Sequence, residues 1–153
     1  MVRMAPPEAV RSVLVVVDGT PASNYALAVA CETAKRQHAS IFALHVVEVP
    51  RRLPVDAEMS AELERGEQIL AAAEAAAAKY GLKMEGNILQ ARNVGSAVVD
   101  EAVALRVDAV VIGLAYHRSY GRYDIGQMAQ FVLENAPTQV WVIRYPPTAE
   151  QLG

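Results

Sequence analysis

The chain alternates blocks of buried-type and amphipathic residues. Val13 to Val17 is an unbroken run of valine and leucine, the pattern of a strand covered on both faces by helices. Asp18-Gly19-Thr20-Pro21 breaks it, with Thr20 suited to cap a helix and Pro21 to its first turn. The spacing of Ala26, Leu27, Ala30 and Ala34 predicts a helix to about His38, ending on Lys35 and Arg36, where the helix dipole favours cations. Ile41 to Val47 reads as a second buried strand, followed by an irregular connection at Pro50 and Pro54. A long alanine-rich helix is expected from about Asp56 to Tyr80, with Leu63, Leu70 and Ala77 on one face and Gly81 as its stop. Its acidic residues Glu62, Glu64, Glu67 and Glu74 solvate the rest.

Lys83 to Leu89 reads as a third strand, and Gly95 to Leu105 as a helix with Val98, Ala102 and Leu105 inward. Asp108 to Ile112 is a fourth buried strand. Gly126 opens a helix carrying Ala129, Val132, Leu133 and Ala136 that stops before Pro137. Gln139 to Arg144 forms a fifth strand, and Pro146 and Pro147 end the order. Regular alternation of this kind implies an α/β fold: a three-layer α/β/α sandwich on a five-stranded parallel, Rossmann-like open sheet.

Composition narrows the class. The 153 residues suit one domain, expected at 12–146 between a flexible N-terminal tail, 1–11, and a C-terminal tail, 147–153. With 53% hydrophobic and 20% charged residues the chain is of the folding, not the disordered, type. A net charge of −3 and the lack of a basic stripe argue against a nucleic-acid partner. Cys31 is the sole cysteine, so no internal disulfide forms, and its place among helix alanines marks it as a buried filler. No apolar run reaches the roughly 20 residues of a membrane span, and Met1 to Arg11 has no apolar leader core. The expectation is a cytoplasmic protein without membrane insertion.

In an open parallel sheet, ligands bind beyond the carboxyl ends of the strands, where the strand order reverses. That rule selects Asp18-Gly19-Thr20, His45 to Glu48, Gln90 to Ser96 and the segment from Gly113. Gly113 to Gly126 offers glycines, a following helix N-terminus, and Arg118 and Arg122: the means of receiving an anion, set against an ordinary surface loop. Tyr116, Tyr120 and Tyr123 suit either stacking on a base or covering the sheet edge. His45 reads as a satisfied core histidine and Trp141 as core or a subunit contact.

Taken in order, these segments resemble the universal stress protein family. The resemblance rests on Val13 to Thr20, Leu44-His45-Val46-Val47, Asp108 to Gly113, and Val132 to Arg144, covering about residues 12 to 145. It implies a homodimer paired through the last strand, Gln139 to Arg144, and in one branch the binding of ATP or a related adenine nucleotide. Mg²⁺ would enter only with ATP. That branch carries a glycine, two residues, a glycine, nine residues, a glycine, then serine or threonine. Gly113 and Gly126 hold the first and third glycine positions, Tyr116 replaces the second and Gln127 the hydroxyl residue. By the resemblance Asp18 contacts the adenosine end beside Gly19 and Thr20. Val46 meets the base through its backbone, and Gly113, Gly126 and Gln127 line the phosphates, with Arg118 near.

Three functions follow. The first is a regulatory domain that binds an adenine nucleotide at the carboxyl ends of strands one and four. The second is a dimeric stress or transporter-associated interaction module in which Tyr116 and Gln127 have ended binding. The third, a slow ATPase or autokinase, needs a metal and a positioned nucleophile. The chain has no Walker lysine, no Gly-x-Ser-x-Gly elbow and no metal-spaced histidines. The reading is therefore a binder, not an enzyme.

Overall fold

Strand β1 (Ser12–Val16) enters the sheet with the backbone N–H groups of Arg11 and Ser12 both donating to Asp108 Oδ2, at 2.8 and 3.1 Å. The computed structural model describes residues 9–116, 118–119, 122–123 and 125–152, with 118–119 and 122–123 described by backbone alone. Helix α1 (Pro21–Gln37) follows, with Thr20 as its cap and Pro21 in its first turn. Next come β2 (Ser40–Glu48), α2 (Ser60–Ala78), β3 (Glu85–Ala91), α3 (Val94–Leu105) and β4 (Ala109–Leu114). The remaining elements are two-residue strands β5 (Arg118–Ser119) and β6 (Arg122–Tyr123), α4 (Gln127–Asn135), β7 (Gln139–Arg144) and α5 (Ala149–Leu152).

The five long strands form one all-parallel sheet in the order β3-β2-β1-β4-β7. Helices α1 and α2 cover one face, packing Ala26, Ala30, Leu70 and Ala77 on Val13, Val15 and Val111. Helices α3 and α4 cover the other, packing Val98, Ala102, Ala129 and Val132 on Leu14, Leu44 and Ile112. Successive β1 side chains go to opposite faces, so Leu14 serves one cluster while Val13 and Val15 serve the other. The three-layer architecture is the one the alternation implied.

Five local differences separate the structure from the sequence reading. Helix α2 starts at Ser60, not near Asp56, because residues 50–57 fold as two turns, Leu53 N–H to Pro50 O and Ala57 N–H to Pro54 O. Its buried face is Gly66, Leu70, Ala73 and Ala77, a three-and-four spacing in which small residues do the packing. Strand β3 runs from Glu85, because its register against β2 places Phe42 opposite Glu85 and Glu48 opposite Ala91. On α4, Leu133 is exposed although Ala129 and Val132 are buried. Beyond the two prolines Thr148 and Gln151 cap α5 reciprocally: Thr148 N–H donates to Gln151 Oε1 at 2.8 Å and Gln151 N–H to Thr148 Oγ1 at 3.3 Å. Cys31 is fully buried, and desolvation pushes its thiol up from 9.0 to about 11, so it stays protonated at neutral pH.

Candidate functional site

The chain leaves β1 through a turn built by Asp18. Its Oδ1 accepts from Thr20 N–H at 2.9 Å and from the Thr20 hydroxyl at 2.6 Å. Gly19 at φ +80° makes the bend, with Ile69 of α2 so near that a Cβ would come within 3.1 Å of it. Thr20 Oγ1 then accepts from Ser23 N–H at 3.2 Å, and Ser23 Oγ accepts from Asp18 N–H at 3.0 Å. Asp18 thus shapes the first turn of α1 with one carboxylate oxygen. Its Oδ2 has no partner among the described residues and is exposed to receive one.

Gly113 sits beside this turn. A Cβ there would overlap the Ala22 carbonyl oxygen and stand 2.7 Å from the Ala22 carbonyl carbon and 3.0 Å from Ser23 Cα. Close approach of α1 to β4 is what excludes a side chain. Gly126 caps α4 at φ 81° and ψ 162°, a region essentially restricted to glycine, and a Cβ there would meet nothing within 4 Å. Its requirement is conformational, whereas that of Gly113 is steric.

At the end of β2, the Leu44 carbonyl accepts from Val17 N–H. Backbone groups two residues apart on a strand face the same neighbour, so those of Val46 point past the last β1 pair, Val16 with Leu44. That leaves the Val46 backbone directed to the mouth beside β1. The intervening His45 turns under α2. Its Nδ1 lies 2.8 Å from the Val17 carbonyl oxygen, so Nδ1 carries the proton, and a Cβ on Gly66 would come within 2.7 Å of its Cδ2. His45 is a packed, bonded residue that holds β1, β2 and α2 together.

A cleft of about 550 Å³ opens next to this end of the sheet, bounded by Glu48, Arg51, Arg92, Asn93, Gln127 and Phe131. Two helix N-termini border it. Asn93 caps α3, its Oδ1 accepting from Ser96 N–H at 2.8 Å, and Gly126 caps α4. The helices meet where Gly95 faces Phe131, close enough that a Cβ would stand 2.8 Å from Phe131 Cβ. Backbone N–H groups and dipoles of both helices therefore favour negative charge in the cleft.

Tyr116 does not line this cleft. The Arg144 guanidinium carbon lies 5.4 Å from its ring centroid, and Arg144 is paired with Leu114 at the end of β7. The ring is thus engaged by a side chain of β7. Tyr145 follows that strand, donating from N–H to Leu114 O and meeting Tyr25 edge-on at 5.4 Å. Trp141 is half-buried on β7, its Nε1 donating to Gln139 Oε1 at 3.0 Å. The backbone of Arg118 pairs with Tyr123 and that of Ser119 with Arg122. The side chains of Arg118, Arg122 and Tyr123, and all of Tyr120, lie outside the described residues.

The structure thus gathers Asp18, Gly19, Thr20 and Gly113 around the first turn of α1, puts Gln127 in the cleft, and sets the Tyr116 ring against Arg144. Sequence reasoning passed over Arg92, Asn93, Gly66 and Gly95 as individuals. Asn93 was legible as a cap preceding an apolar helix; the two glycines answer to neighbours distant in sequence. Among the described residues no group of three His, Cys, Asp or Glu side chains could hold a metal ion, and no helix is long and apolar enough to cross a membrane.

A doubly wound parallel α/β domain with an open cleft beyond its strand ends is a fold class built for ligand binding. Residues 9–144 match the universal stress protein family, and the chain belongs to it. A universal stress protein of Methanocaldococcus jannaschii is 27% identical over 142 residues, covering 89% of this chain and 83% of that protein. The universal stress protein of Archaeoglobus fulgidus in complex with dAMP superposes with a TM-score of 0.70 at 20% identity, over 89% of this chain and 99% of that one. A family protein of Arabidopsis thaliana with AMP bound gives a TM-score of 0.65 at 17% identity, over 94% of this chain and 99% of that one.

Proposed function

We propose that the protein is a regulatory domain that binds an adenine nucleotide at the carboxyl end of its sheet. The observation that carries this is the open end itself: a free Asp18 Oδ2 and the outward Val46 backbone lie at the same end of the sheet as a cleft bordered by two helix N-termini. The dAMP and AMP complexes of proteins sharing this fold support the same ligand class. In this reading Asp18 accepts from the sugar hydroxyls, Val46 meets the base, and Gly126 and Gln127 receive phosphate. Magnesium enters only with the phosphates of ATP.

A module that has lost nucleotides is less well supported, because the Tyr116 ring is engaged at Arg144 and leaves the cleft open. The chemistry is binding, with Asp18 committed by one oxygen to its own turn.

At a hundredfold excess over Kd, AMP should stabilise the fold by about 2.7 kcal/mol and raise Tm by about 5 °C or more. Asp18→Asn keeps an oxygen for Thr20 but replaces the free acceptor by a donor. Its unliganded Tm should stay near wild type while the AMP shift shrinks. Asp18→Ala should also lose about 1 kcal/mol of unliganded stability, since the Thr20 groups lose their acceptor. Absence of any shift with AMP, dAMP, cyclic AMP and ATP at millimolar concentration would sink the proposal.

We also infer a homodimer through β7. This strand is a sheet edge whose Val140, Trp141, Val142 and Ile143 are only half-buried, a surface suited to pairing with a second copy. Sedimentation should give twice the chain mass of 16.5 kDa. A monomer at micromolar concentration contradicts the pairing.

A further inference from the structure

Pro50 and Arg51, which open the segment 50–57, line the cleft, yet little apolar burial holds the segment. Arg51, Arg52, Pro54, Val55 and Asp56 are exposed, and only Leu53 and Ala57 are half-buried. The two turns of the segment are attached to the body through carbonyl oxygens. Arg92 donates from Nη1 to Pro50 O at 2.8 Å and from Nη2 to Leu53 O at 2.6 Å. Gln90 Nε2 donates to Val55 O at 3.2 Å and to Ala57 O at 3.0 Å. Two side chains from the end of β3 thus suspend a segment that lacks a core of its own. Such a segment opens locally at low cost unless its polar ties hold.

Arg92 also lines the cleft, beside Asn93 at the start of α3 and across from Gln127 at the start of α4. A guanidinium carries five N–H donors in a fixed plane, and the two carbonyls of the segment engage two of them. Donors remain for an anion without release of the segment. Phosphate would add an opposite charge and a fork-matched acceptor to the guanidinium, so an anion there would immobilise it.

We infer that Arg92 is a positioning residue that ties residues 50–57 to the cleft, so that a phosphate-bearing ligand in the cleft tightens this segment. The inference rests on the nucleotide reading above. Ligand occupancy becomes a change in the order of an exposed surface, which a partner could read. The sequence supplies its own reporter, because Arg51 and Arg52 are exposed trypsin sites within the segment.

Limited trypsin digestion of the whole protein, with fragments assigned by mass, tests this alongside Tm. AMP should slow cleavage after Arg51 and Arg52 by about threefold or more, because cleavage follows the population of the opened segment. Adenosine, which lacks phosphate, should not; inorganic phosphate alone should protect partly. Arg92→Ala should be cut faster than wild type without ligand and gain no protection from AMP. Arg92→Lys, which keeps the charge but not the fork, should recover only part. Gln90→Ala should be cut faster without ligand and still be protected by AMP. If AMP raises Tm yet leaves wild-type cleavage unchanged, the inference is overturned while the nucleotide reading stands. Equal ligand-free cleavage of Arg92→Ala and wild type also overturns it. If AMP, dAMP, cyclic AMP and ATP all change neither quantity, the nucleotide reading and the linkage fall together.

Discussion

Gly113→Ala is expected to lower the stability of the ligand-free protein by about 3 kcal/mol, toward the upper end for overpacking a core. The added methyl would overlap the Ala22 carbonyl oxygen and lie 2.7 Å from its carbonyl carbon, and both atoms belong to backbone. Helix α1 cannot back away cheaply. Its first turn is tied to the end of β1 by Thr20 capping Ser23 N–H and by Ser23 Oγ accepting from Asp18 N–H. Urea unfolding without nucleotide should show an earlier midpoint at an unchanged slope. A glycine kept solely to let phosphate approach would behave differently: substitution would remove the AMP-induced Tm rise and leave ligand-free stability within about 0.5 kcal/mol of wild type. That second outcome would refute the steric account.

Leu14→Ala should cost about 3 kcal/mol, within the range for deleting a buried leucine side chain. Leu14 is fully buried at the centre of the sheet, in the cluster that holds Leu44, Val98, Ile112 and Val132. Its neighbours belong to two other strands and two helices, so no one element can shift to fill the space. Tm should fall by about 6 °C or more. A loss below about 1 kcal/mol would mean that α3 and α4 are free to collapse onto β1, contrary to the close packing of this face. Both substitutions act on the layer that positions the cleft, one on each face of the sheet.

The central strands were legible because burial on both faces demands continuous apolar runs, as in Val13 to Val17. The edge strand β3 was displaced by two residues in the reading because its first half is exposed and carries no such run. The start of α2 was misread for another reason. Local propensity favours helix from Asp56, but Gln90 and Arg92 hold the carbonyls of residues 50–57 in turns. Those partners lie more than thirty residues away, and no local pattern contains them.

Asp18 and Gly113 show how this separation reaches the site. The order of strand, Asp-Gly-Thr turn and helix cap follows from local chemistry, so the sequence by itself determined the parallel sheet, its two helical layers and the end at which a ligand is to be sought. The reason for each residue did not. Asp18 spends one oxygen on its own turn, Gly113 makes room for α1, and Tyr116 lies against Arg144. Periodicity and caps act between residues a few positions apart, which a linear chain displays. Steric exclusion, cleft walls and long-range carbonyl ties arise only when distant segments are brought within a few ångströms, and those the tertiary structure alone decided.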